Sequence, residues 1–223
     1  MQIAPLLQNG RGVTALIGGG GKTTLMNTLA SELKSRGKVI ICTSTKIKLP
    51  ERYPTLFGAS EDDVAAALAV HDVLCVAEKS VEDKLCAPKL PFETLSQLAP
   101  YVIVEADGAR CLPLKAHASH EPVIPAVSQR VVTVIGIDGI GKRIAETCHR
   151  SAFYAQIAGV SENDVVTPEI AARVVNAEGW GDRVYINKVE SAEAYDAATA
   201  LAGYFTCPVV LGSLHKGVYE CLH

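Results

Sequence analysis

The chain is poor in aromatic residues, at 5% of its 223 positions with a single tryptophan, so it has little with which to stack exposed bases. It also lacks a dominant charge. Formal net charge is −3 and the isoelectric point about 6.1, which leaves no global basic field to gather nucleic acid or an anionic membrane. No uncharged apolar run reaches membrane-spanning length, and no basic stretch followed by an apolar one marks the N-terminus as a secretory signal. Cysteines stand at 42, 75, 86, 111, 148, 207 and 221 with no CxxC pair, so neither a zinc knuckle nor a thioredoxin-type centre is written here. Cys42 and Cys75 sit inside apolar runs and read as small buried hydrophobes. Repeats, low-complexity tracts and linkers are missing too. These absences point to a reduced, cytoplasmic setting, to neither nucleic acid nor membrane as partner, and to one domain over residues 1–223.

What is present is apolar and ordered. With 48% hydrophobic residues and a mean hydropathy of +0.20, the chain can bury one sizeable core. Strand-length apolar runs recur at Val13–Ile17, Val39–Cys42, Val73–Ala77, Tyr101–Val104, Val131–Ile137, Val184–Ile186 and Val209–Leu211. Most are apolar at every position, as strands covered on both faces require. Helical patterns fall between them. Ser60 with Asp63 and Ser161 with Asp164 have the spacing of capping boxes, Thr167-Pro168 puts proline at a first helical position, and Ser191 opens an alanine-rich helix ending at Gly203. This alternation predicts an α/β fold: a doubly wound, mostly parallel sheet flanked by helices. Lys46–Gly58, with Pro50 and Pro54, and Gly108–Ser128, with Pro113, Pro122 and Pro125, read as long loops of the kind that form lids or binding elements.

Between the first strand and the first long helix lies Gly18-Gly19-Gly20-Gly21-Lys22-Thr23-Thr24, a shortened phosphate loop with Leu16 where the full pattern has its first glycine. Successive glycines let backbone N–H groups curl around an anion, and the following helix aims its dipole at the same spot. Lys22 supplies charge for the terminal phosphates of ATP or GTP, and Thr23 a hydroxyl for Mg²⁺. The fourth apolar run ends in Glu105-Ala106-Asp107-Gly108, and a carboxylate there is placed to hold Mg²⁺ or to serve catalysis. Two acids spaced i, i+2 share a face if the strand continues, so Glu105 and Asp107 stay equivalent. Thr43-Ser44-Thr45 after the second strand offers hydroxyls to the γ-phosphate, with Thr45 a further metal candidate. Asn187-Lys188-Val189-Glu190 resembles the base-reading NKxD of GTP-binding proteins with glutamate in place of aspartate, so adenine against guanine stays open. His117, His120 and Glu121 read as surface or substrate contacts. His149-Arg150 reads as an exposed helix terminus or a phosphate-sensing arginine.

Taken in order, the glycine loop, EADG, Pro113-Leu114-Lys115, His120-Glu121-Pro122-Val123-Ile124-Pro125, His149-Arg150 and Asn187-Lys188 resemble the YqeC family across nearly the full length. That family is described as accessory factors for selenium-dependent molybdenum hydroxylases. The resemblance therefore implies a P-loop protein whose partner is a client metalloenzyme or its cofactor. The shortened loop also looks like that of Mur-type amide ligases, though their further substrate domains have no room here. Glu105–Gly108 resembles the ExxG of GTPases that assist metalloenzyme assembly, without their histidine or cysteine clusters. Three readings remain: a slow Mg²⁺-dependent NTPase in enzyme maturation, an ATP-dependent kinase or ligase on a cofactor precursor, and a non-hydrolysing module for a phosphorylated cofactor.

Overall fold

The computed structural model describes residues 2–47, 52–80 and 85–222. Its first strands are β1 (Gly12–Gly18), β2 (Val39–Thr43), β3 (Thr55–Phe57), β4 (Val73–Lys79), β5 (Leu85–Cys86) and β6 (Tyr101–Glu105). They are followed by β7 (Leu114–Lys115), β8 (Ser128–Gly136), β9 (Cys148–His149), β10 (Arg183–Asn187), β11 (Val209–Ser213) and β12 (Val218–Cys221). The helices are α1 (Ile3–Leu6), α2 (Lys22–Leu33), α3 (Glu61–Val70), α4 (Phe92–Leu98), α5 (Ile144–Thr147), α6 (Ser151–Ala158), α7 (Pro168–Glu178) and α8 (Ala192–Ala202).

The main sheet runs β12-β11-β10-β8-β1-β6-β2-β4-β3 with β5 against β4, and its central pairings are all parallel. Among the described strands only the pairings β11–β12 and β4–β5 are antiparallel. The unbroken apolar runs find their reason in two covered faces. Leu16, Ile41 and Ile103 pack with Leu25, Met26, Leu29 and Leu33 of α2 on one side. Their neighbours Ile40, Val102 and Val104 pack with Val64, Leu68 and Leu95 of α3 and α4 on the other. Each fully buried leucine of α2 contributes about 1.5–3 kcal/mol, which the weakly amphipathic glycine-led helix lacks on its own.

The chain leaves β1 through α2 to reach β2 on one side, whereas β8 returns on the other, so the direction of winding reverses at β1. In open parallel sheets the crevice at such a point, beyond the C-terminal strand ends, is where ligands bind. Among the described residues no helix is long and apolar enough to cross a membrane.

Three local expectations change. Ser161 and Asp164 close a turn, with the Ser161 amide donating to Asp164 Oδ2 at 2.8 Å, and no helix follows until Pro168. A residue before proline is steered to extended backbone, and Thr167 at φ −98°, ψ 164° delays the helix accordingly. The loop from Lys46 holds β3, an edge strand; residues 48–51 of that loop, Pro50 among them, lie outside the described residues. The loop from Gly108 is anchored rather than free-standing, because Leu114 and Ala116 are buried and β7 pairs with β9.

Candidate functional site

β1 ends at Gly18 and α2 starts at Lys22, so the chain reverses within three glycines. Gly20 and Gly21 have φ of +78° and +126°, and a Cβ on Gly20 would sit 2.2 Å from the Gly136 nitrogen. Only glycine fits there. The loop's leading amides already have protein acceptors. Gly18 N–H donates to Asp107 Oδ2 at 2.7 Å, Gly19 N–H to the Val134 carbonyl at 3.0 Å, and Gly20 N–H to the Leu112 carbonyl at 3.1 Å. The amides open to a ligand therefore lie further on, at Lys22, Thr23 and Thr24, which helix geometry leaves without intrahelical acceptors. No side chain caps α2 and its first turn carries no acid, so its positive end meets no negative charge from within the helix.

The two acids after β6 have separate partners. Glu105, the last residue of the strand and in register with Leu16 and Thr43, accepts from the Thr23 hydroxyl at 2.8 Å. Asp107 lies beyond the strand and is wholly buried. Its Oδ1 pairs with Lys22 Nζ at 2.8 Å, and Lys22 also donates to the Gly18 carbonyl at 2.5 Å. Its Oδ2 takes the Gly18 amide and lies 2.5 Å from His117 Nε2. Burial works to raise the Asp107 pKa, but Lys22, the His117 hydrogen bond and Lys115 outweigh it and hold the carboxyl well below the usual range. Glu105 shifts the other way, because its burial exceeds the help from Lys22 and Thr23.

His117 is no surface residue. Its side chain is 4% exposed, with Nδ1 2.7 Å from Glu178 Oε2 and its amide donating to Glu178 Oε1 at 2.6 Å. With both ring nitrogens against carboxylates, the ring is held as imidazolium. Burial lowers its pKa, the bonds to Asp107 and Glu178 raise it, and the bonds prevail. Lys115 shares this environment, 3.8 Å from Asp107 Oδ2 and 2.7 Å from Glu121 Oε2. Glu178, at the end of α7, carried no local sequence signal. It is 61 positions from its partner, and only the packing of α7 beside the loop joins them.

A cavity of about 560 Å³ opens beside the loop, lined by Gly20, Gly21, Thr24, Asp138, Asn187, Lys188, Glu190, Leu214 and His215. That lies within the volumes of small-ligand sites, roughly 300–1,000 Å³. Asn187 serves as a brace. Its Nδ2 donates to the Gly20 carbonyl at 2.8 Å, while its Oδ1 accepts from the Tyr185 hydroxyl and the Leu214 amide. Glu190 is exposed at the cavity wall, with one oxygen accepting from the Ser213 hydroxyl at 2.7 Å. Lys188 pairs with Asp138 at 2.8 Å. Thr45 stands off: its amide donates to the Thr43 hydroxyl, and it is Thr43 that donates to the Glu105 carbonyl.

Mg²⁺ favours oxygen donors, octahedral geometry and metal–oxygen distances of about 2.0–2.1 Å, for which neighbouring ligands stand about 2.9 Å apart. The Thr23 and Glu105 oxygens, 2.8 Å apart beside the α2 N-terminus, fit that ion. Asp107, enclosed by its own donors, does not present an oxygen to it. Among the described residues no group of three or more His, Cys, Asp or Glu forms a metal cage.

The parallel sheet reversing at β1, the glycine turn into α2 and the carboxylate ending the adjacent β6 define a P-loop NTPase-like fold. The YqeC protein family profile matches residues 14–152, more than half of the chain, and the chain belongs to the YqeC family. It is 30% identical over 158 residues to YqeC of Escherichia coli (strain K12), covering 67% of this chain and 61% of that protein. The chain thus spans about three fifths of that relative's length. Two solved structures are similar at a TM-score of 0.42. One is the signal recognition particle 54 kDa protein from Aeropyrum pernix K1 in complex with GDP, 17% identical over 96% of this chain and 44% of that one. The other is the receptor FtsY from Elizabethkingia anophelis, 15% identical over 94% and 62%.

Proposed function

We propose that the protein binds a nucleoside triphosphate with Mg²⁺ and hydrolyses it slowly, in the service of a client enzyme. The observation that carries this reading is the Thr23–Glu105 pair at the uncapped N-terminus of α2, with the cavity running from Gly21 to Glu190 beside it. Phosphate oxygens would take the Lys22, Thr23 and Thr24 amides, and Thr23 and Glu105 would hold the ion. Mg²⁺, when bound, neutralises charge on the β- and γ-phosphates. Lys22 would turn from the Gly18 carbonyl toward the phosphates while Asp107 keeps its ammonium in place. That exchange of partners is one reason to expect slow turnover. The base would lie toward Lys188 and Glu190, whose carboxylate has a second oxygen for a guanine edge; both ATP and GTP belong in the test.

We infer, from the resemblance alone, that the coupled process is maturation of a selenium-dependent molybdenum hydroxylase. The decisive experiment measures Mg²⁺-dependent ATP and GTP binding and phosphate release for wild type and Lys22→Ala. Loss of both in the variant supports the reading, and undiminished turnover refutes it. For the client, a strain carrying Lys22→Ala should make hydroxylase polypeptide with reduced activity.

A further inference from the structure

Beyond the nucleotide site, on the opposite side of Asp107 from Lys22, two strongly basic side chains share one acid. Lys115 Nζ and Arg150 Nε contact the two oxygens of Glu121 at 2.7 and 2.5 Å, and no other carboxylate pairs with Arg150 among the described residues. Asp107 is already matched by Lys22 and His117, and Glu178 by His117. Lys22 also lies 3.9 Å from Glu105, so the cluster balances overall, and among the described residues Glu121 is the one carboxylate within 3 Å of Lys115 and Arg150. Arg150 Nη2 lies 3.1 Å from His120 Nε2, while its Nη1 has no partner among the described residues, on a side chain 27% exposed. Its backbone is left-handed, φ +62°, ψ +51°, a strained state for a side chain other than glycine. Such strain recurs at ligand clamps. The adjacent His149 has a buried Nδ1 without a partner among the described residues. Burial first, then Lys115 and Arg150, push its pKa down to about 4.

We propose that Arg150 and His120, with Lys115 behind them, form a second oxyanion subsite that takes the phosphate group of a small-molecule substrate. The guanidinium offers Nη1 and Nη2 to phosphate oxygens in a fork that lysine cannot present. His120, exposed, closes the contact from the loop. Lys115, fully buried, adds charge from beneath without touching the ligand. Arg150 connects to Lys22 through Glu121, Lys115 and Asp107: Lys115 Nζ lies 2.7 Å from Glu121 and 3.8 Å from one Asp107 oxygen, and Lys22 Nζ 2.8 Å from the other. The subsite itself stands whether or not the nucleotide reading does.

Inorganic phosphate is the probe. Calorimetric titration of Lys22→Ala, which weakens the glycine-loop site, should still show saturable phosphate binding. Arg150→Gln in the same background should lower its affinity about tenfold or more, as loss of a charge-assisted fork implies, and Arg150→Lys should restore it only in part. Should Arg150→Gln melt early, His120→Ala at the exposed ring reads the same site, with a severalfold loss expected. No phosphate binding in Lys22→Ala, or equal affinity in the His120 and Arg150 variants, overturns the subsite. Loss of nucleotide binding in Lys22→Ala alongside retained phosphate binding tests the two proposals separately.

Discussion

Gly20→Ala isolates the geometry of the loop turn from its chemistry. The substitution meets two separate obstacles. The first is φ of +78°, which costs a side chain about 1–2 kcal/mol relative to glycine. The second is contact: the new Cβ would lie 2.2 Å from the Gly136 nitrogen, 2.5 Å from its Cα and 2.9 Å from the Ile135 carbonyl carbon. These are backbone atoms at the end of β8, so no side chain can swing away. Overpacking of this kind costs about 1–3 kcal/mol. Together the two terms give roughly 2–5 kcal/mol, or a melting temperature lower by about 4–20 °C for a chain of this size. Relief by moving the loop would also pull the Gly20 carbonyl from Asn187 and tilt the α2 N-terminus. Gly108→Ala is the internal control. No atom lies within 4 Å of its Cβ and its φ is ordinary, so stability should stay within about 0.5 kcal/mol. Thermal and urea unfolding of both variants decide the matter. Equal losses, or a Gly20→Ala protein as stable as wild type, would refute the crowded-turn argument.

Asn187→Ala should cost about 1–3 kcal/mol in urea unfolding, because it leaves the buried Tyr185 hydroxyl without its acceptor and frees the Gly20 carbonyl. Glu190→Ala should weaken GTP and leave ATP nearly unchanged in parallel titrations; equal effects would remove Glu190 from base reading. The raised His117 pKa means that the folded state holds a proton that the unfolded chain releases earlier. Its contribution is therefore complete below the unfolded value of about 6.5 and declines as pH rises through the folded value. Unfolding measured from pH 6 upward should show that decline, with a smaller one in Glu178→Gln. The lowered Asp107 and Glu121 values act at the acid end, where stability present above about pH 4 is lost as pH falls toward their folded values.

The central strands were legible because burial on both faces demands apolar residues throughout, and β1, β2 and β6 obey. β3 and β12 were not, because edge strands are only partly buried and carry no such run. The Ser161–Asp164 pair shows how one local hydrogen-bond pattern serves a turn as well as a helix start. At the proposed site, the glycine loop and the acids stand out in the sequence as types, since phosphate and Mg²⁺, if bound there, each restrict the side chains that serve them. Which acid faces Thr23 was not legible, because β6 ends at Glu105 and the i, i+2 rule stops there. The His117–Glu178 bond and the sharing of Glu121 by Lys115 and Arg150 arise from packing between segments far apart in sequence. Nothing local announces them.

The account turns on whether phosphate is held by the amides that open α2. Backbone ¹H–¹⁵N spectra recorded during titration with MgADP and MgGDP read those amides one by one. Large downfield shifts at Lys22, Thr23 and Thr24, with Gly18 little changed on its Asp107 acceptor, are the predicted result. Unmoved resonances at those three positions under saturating nucleotide would contradict it.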